Sequence, residues 1–105
     1  LKQDKIFSLI GLATKAGKIA SGEFSTEKAV KSGDAFLVIV AEDASDNTKK
    51  MFSNMCTYYK VPLYFFGAKD SLGHAMGKEV RASLAVSDQG FAKAMVMQLE
   101  IRQSN

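Results

Sequence analysis

At 105 residues, with 47% hydrophobic and 24% charged residues, the chain has the size and balance of a single domain, 1–105, that buries a core without staples. Its one cysteine, Cys56, excludes an internal disulfide, and no apolar run approaches the roughly 18 residues of a membrane span. A net charge of +3 and a pI near 9.0 permit a nucleic-acid partner without demanding one. Cysteine usage and an opening without a signal peptide make the cytoplasm the expected home. The basic bias lies in the first third, where Lys2, Lys5, Lys15, Lys18, Lys28 and Lys31 stand against Asp4, Glu23, Glu27 and Asp34.

Ile6, Leu9, Ile10 and Ala13 have the spacing of an amphipathic helix over about 3–16, which Gly17 can stop. Lys18 to Ser21 reads as a short strand feeding Gly22. From about Phe24 to Ser32 a second helix is expected, with Phe24, Ala29 and Val30 as its apolar side and Gly33 as its stop. Then come six consecutive apolar residues, Phe36 to Ala41, three of them β-branched. Their length and lack of alternation indicate a strand covered on both faces, around which the domain is arranged.

Ser45-Asp46-Asn47 can cap a helix carrying Met51, Phe52, Met55, Cys56 and Tyr59 on one face, which makes Cys56 a core residue rather than a reactive one. Val61 to Phe66 is the next strand, with the only proline, Pro62, at its entrance. Lys69 to Met76 reads as a short helix closed by Gly77. Val80, Ala82, Leu84 and Val86 alternate with Arg81, Ser83 and Ala85, which predicts a last strand with one wetter face. Asp88 can cap a final helix through Phe91, Met95 and Leu99. The order α-β-α-β-α-β-α-β-α points to an α/β three-layer α-β-α sandwich around a four-stranded mixed sheet.

Catalytic motifs are wanting. The run from Gly11 to Lys18 fails as a phosphate-binding P-loop, because its glycines are wrongly spaced, Ile19 replaces the Mg²⁺-binding Ser or Thr, and a helix precedes it. His74 has no evident nucleophile or orienting partner. Glu42 and Asp43, at the carboxyl end of the central strand, have two readings. They can hold Mg²⁺ as in a receiver-like or metal-dependent phosphoryl-handling domain centred on Asp43. Alternatively, Asp43 caps the next helix while Glu42 is solvated, the reading preferred here because no third oxygen ligand is evident.

Two segments suit a phosphate-bearing partner. Gly22 opens a helix, whose free N–H groups and dipole favour anions, and Lys28 and Lys31 follow on it. Gly77-Lys78-Glu79-Val80-Arg81 is a glycine-opened loop with two further cations. Lys28 and this loop are expected to flank one concave basic surface.

Gly17-Lys18-Ile19, Gly22 with Lys28-Ala29-Val30 and Gly33, Ala41-Glu42-Asp43, Val61-Pro62, Leu72-Gly73, and Gly77 with Glu79-Val80 follow one another in an order that resembles a known family. It is the kink-turn-binding ribosomal proteins of the L-seven-Ae and L-thirty-e type, in particular their small bacterial YlxQ-like members, over roughly residues 17 to 91. The resemblance implies an α-β-α sandwich and binding to bent RNA through a Gly-x-Asn-Glu-x-x-Lys motif. Gly22 and Lys28 match that motif, whereas Phe24 stands for Asn and Ser25 for Glu. Phe24 cannot hydrogen-bond a base edge and is left to stack on a base or pack inward; Ser25 keeps one hydrogen bond. In the family's apolar second loop Val80 matches, and Lys78 replaces Ile or Leu.

The expectation is therefore a small non-enzymatic RNA-binding protein, without cofactor or metal, acting on structured RNA with ribosomal or ribonucleoprotein components. Gly22 would give close backbone approach, Lys18, Lys28 and Lys31 phosphate contacts, and Ser25 a hydrogen bond beside Phe24. Lys78, Glu79, Val80 and Arg81 would form the second wall. A protein-interaction module is a third possibility, marked by a large exposed apolar patch.

Overall fold

A computed structural model describes residues 2–103, with side chains from 5 to 102, so the side chains of Lys2 and Asp4 lie outside the described residues. The order is α1 (Lys2–Lys15), β1 (Ile19–Ser21), α2 (Glu23–Lys31), β2 (Leu37–Val40), α3 (Asp46–Tyr59), β3 (Leu63–Phe65), α4 (Lys69–Ala75), β4 (Ser83–Val86) and α5 (Gln89–Gln103). The sheet runs β1-β4-β2-β3, with β2 parallel to β3 and the other pairs antiparallel. Helix α1 packs on α4 and α5, while α2 packs on α3, β1 and β4. This is the α-β-α sandwich that the alternation of elements implied.

Strand β2 has a neighbour on each side, Val38 pairing with Leu63 and with Ala85. Val38 and Ile39 point to opposite faces, and both are 0% exposed. The unbroken run of apolar residues is thus explained by helices over both faces of the sheet. Phe36 is the exception within the run, half-exposed ahead of the strand proper. Pro62 precedes edge strand β3, where its carbonyl accepts from the Val38 N–H and its missing donor disrupts nothing.

Three expectations need correction. Strand β4 has no wetter face: it lies between β1 and β2, and Ser83 and Ala85 are as buried as Leu84 and Val86. The Ser83 hydroxyl is satisfied instead by donating to Thr26 Oγ1 at 3.2 Å, a partner 57 residues away that strand periodicity cannot disclose. Phe24 is not on the apolar side of its helix, which consists of Thr26, Ala29 and Val30; Phe24 is 79% exposed. Asp43 does not cap α3. Ser45 does, its hydroxyl accepting from the Thr48 N–H, while Asp43 Oδ1 accepts from the Lys69 N–H at 2.9 Å and so holds the start of α4.

The cap expected of Asp88 is present, and the face expected of α3 holds except at Tyr59. Asp88 Oδ2 accepts from the Phe91 N–H at 2.8 Å to open α5. On α3, Phe52 and Cys56 are buried and Met51 and Met55 pack partly against the core, whereas Tyr59 turns outward. Burial pushes the Cys56 thiol up to about 11, which keeps it in the unreactive protonated form.

Candidate functional site

The site begins where β1 turns into α2. Gly22 is the N-cap residue with φ 91° and ψ 162°, a backbone that side chains rarely adopt, and no side chain caps the helix. Its N–H donates to the Ser83 carbonyl, and its carbonyl accepts from the Thr26 N–H at 2.9 Å to start the helix. The next N–H groups have no intrahelical acceptor, and they stand at the positive end of the helix dipole.

Across from this turn lies the 77–82 loop. A side chain added at Gly22 would begin 4.0 Å from Arg81 Cδ, so the arginine stem stands over the bare glycine with about a methyl group's room between them. Arg81 Nε donates to Ser21 Oγ at 3.3 Å, and Arg81 Nη1 donates to its neighbour's carbonyl at Val80. The Arg81 backbone N–H donates to the Lys69 carbonyl at 3.0 Å. Asp43 thereby acts through the first turn of α4 on the loop that carries Arg81. The two segments singled out by glycine and charge, 60 residues apart at Ser21 and Arg81, meet in space.

Not every expected residue joins them. Phe24, Glu27, Lys28, Lys31 and Ser32 line an open groove along α2 itself. Lys31 is paired there with Glu27 at 2.6 Å, and that hydrogen bond and charge raise the lysine's pKa. Lys78 and Glu79 open instead onto a cavity between α1 and α4, beside Phe7, Asp70 and His74. Lys28 and Lys78 therefore line different concavities rather than one basic surface, and Gly22 and Arg81 are what the two segments share. Val80 is 52% exposed at the loop tip; Ser25 and Lys18 are exposed.

The carboxylates at the end of β2 are already engaged, Asp43 with the α4 backbone and Glu42 with Arg102 at 3.5 Å. Among the described residues, no three His, Cys, Asp or Glu side chains gather as a metal site.

The sequence reading gave Ser21, Thr26 and Gly73 no part in the site. Gly73 lets the loop close on α4, where the Lys78 N–H donates to the Gly73 carbonyl at 2.7 Å. Its signal was available: a glycine inside a helix costs roughly 1 kcal/mol against alanine, so it needs a packing reason.

The sequence profile described as "Ribosomal protein L7Ae/L30e/S12e/Gadd45 family" matches residues 4–96. An "RNA-binding protein YlxQ" of Bacillus subtilis (strain 168) is 44% identical over 94 residues, covering 90% of this chain and 94% of its own. A protein of the same name from Enterococcus faecium is 38% identical over 91 residues, 87% of either chain. Among solved structures, a protein of unknown function from Bacillus halodurans superposes with a TM-score of 0.89 at 36% identity, over 91% of this chain and 97% of that one. The Giardia lamblia 15.5kD RNA binding protein shares the fold, with a TM-score of 0.80 at 23% identity over 96% of this chain and 90% of that one.

Proposed function

This chain belongs to the ribosomal protein L7Ae/L30e/S12e/Gadd45 family, and from that premise we propose that it is a small, non-enzymatic RNA-binding protein whose ligand is a structured RNA. The observation that carries the reading is the Arg81 side chain held by Ser21 over the bare Gly22. It sets a cation beside a helix start that is open to a phosphate because it bears no side chain. Relatives named as RNA-binding proteins support the same reading.

Lys18 and Lys28 add phosphate contacts on either side of Gly22, and Ser25 keeps one hydrogen bond at the helix start. Phe24 and Ser25 replace the family's base-reading Asn and Glu, so the affinity proposed comes from the backbone path of a bent RNA more than from base edges. Ribosomal or ribonucleoprotein partners and a cytoplasmic location belong to this proposal. The alternative centred on Asp43 is disfavoured, since that carboxylate is committed to the Lys69 N–H.

Lys28→Ala tests the interface. Binding to kink-containing and to plain duplex RNA is measured from low to high salt. Loss of one phosphate contact should weaken both ligands similarly and flatten the salt dependence by roughly one unit of slope or less. Unchanged affinity at both extremes of salt would place the RNA surface elsewhere.

A further inference from the structure

The outer side of α2 carries more than phosphate contacts require. Phe24 is 79% exposed at its N-terminal end, and Lys28 and Lys31 follow it along the same groove. The seven-residue step from Phe24 to Lys31 rises about 10 Å, room for more than one nucleotide. Helix α2 packs on α3, whose last turn presents Tyr58 and Tyr59. These rings stand edge to face with centroids 4.9 Å apart, 78% and 40% exposed. Lys31 closes α2 at the far end of this groove, where its hydrogen bond to Glu27 holds it in the charged form.

Single exposed apolar residues need no explanation. Three exposed rings on two packed helices do, and Lys28 with Lys31, the latter paired with Glu27, favours a polyanion over an apolar protein surface. Aromatic faces stack on any base, while lysines follow the backbone, which is how unpaired strands are held without regard to sequence.

We propose that an unpaired stretch of RNA continues from the structured ligand at Gly22 along α2, stacking one base on Phe24 and another on the Tyr58–Tyr59 pair, with Lys28 and Lys31 against its phosphates. The inference rests on the RNA-binding reading above and adds to it a ligand class: a bent duplex with a single-stranded extension. Phe24 thus has a role of its own in place of the base-edge contact it cannot make.

The test uses two RNAs, one bent duplex with blunt ends and the same duplex with an unpaired extension of about four nucleotides. The wild-type chain should bind the extended RNA about tenfold or more tightly than the blunt one. The double change Tyr58→Leu, Tyr59→Leu should lose about tenfold on the extended RNA and nothing on the blunt one, and Phe24→Leu, which keeps bulk but removes the ring face, should lose about tenfold more on the extended RNA than on the blunt one. Because Phe24 is so exposed, its replacement leaves the core intact. The chain has no tryptophan, so Phe24→Trp gives a single indole whose emission the extended RNA alone should quench. Equal binding of both RNAs by the wild type, or equal losses on both in Phe24→Leu, would overturn the inference and leave the rings to a protein partner. Failure of the wild type to bind either RNA would instead bring down the RNA-binding reading, and this inference with it.

Discussion

The Glu79 carbonyl oxygen lies 2.5 Å from where a side chain on Gly73 would begin, with the Glu79 carbonyl carbon at 2.7 Å and the Val80 nitrogen at 2.9 Å. All three are backbone atoms, so none can swing aside. The absence of one methyl group is what lets the loop bearing Val80 and Arg81 close on α4.

Gly73→Ala should therefore destabilise the domain by about 1–3 kcal/mol, despite alanine's better helix propensity. Gly11→Ala in α1 is the control: its added methyl would meet the Ala75 carbonyl oxygen at 3.4 Å, an ordinary contact, so stability should hold or rise. Urea unfolding of both variants checks the contrast. If Gly73→Ala folds as stably as the parent, the loop does not depend on that close approach. RNA affinity should fall with Gly73→Ala alone, because moving the loop takes Arg81 from Gly22.

The buried pair Ser83–Thr26 should behave non-additively. Thr26→Val keeps the shape but leaves the Ser83 hydroxyl without its partner, at a cost of about 1–3 kcal/mol. Adding Ser83→Ala removes the orphaned group and should recover part of that loss. A double-mutant cycle by chemical denaturation measures the coupling, and strictly additive losses would mean the hydroxyls do not depend on each other.

Tyr64 supplies a pH dependence. Its hydroxyl is hydrogen-bonded to the Glu100 carboxylate, and that bond, with burial and the carboxylate's charge behind it, pushes the phenol up to about 12. In the unfolded chain the phenol ionises near its ordinary value of about 10. The folded state thus retains the proton longer, and the stabilisation is complete below about pH 10 and is lost as pH rises toward 12. Thermal unfolding between pH 9 and 12 should show this loss in the parent and a smaller one in Tyr64→Phe. Parallel profiles would remove Tyr64 as the cause.

Phe24→Asn with Ser25→Glu should restore preference for kinked RNA, by about 1–3 kcal/mol per good base contact regained. The exposure of Phe24 means the change takes nothing from the core, and the new carboxylate suits the start of α2. The same double variant should lose its preference for the single-stranded extension. Competition between kinked and straight duplex is the measurement; no gain for the kinked RNA would show that these positions do not limit its recognition.

The sequence by itself determined the element order, the doubly covered strand β2 and the core role of Cys56, because these follow from periodicity, β-branching and capping residues within a few positions of one another. It marked Gly22, Lys28 and the 77–81 loop as phosphate-bearing candidates through local charge and glycine placement. Only the tertiary structure decided which of them meet. Arg81 reaches Ser21 and Gly22 because β1 and β4 are paired, a contact spanning 60 residues that no local pattern encodes. The same holds for Phe24, which the sequence assigned to the apolar side of its helix. On nine residues of α2, which residues point inward depends on where β4 and α3 lie, and that packing turned Thr26 in and Phe24 out. Asp43 shows the last difference. A carboxylate at a strand end is legible as a cap, but whether it caps α3, three residues on, or α4, 26 residues on, depends on which backbone N–H the fold brings within reach.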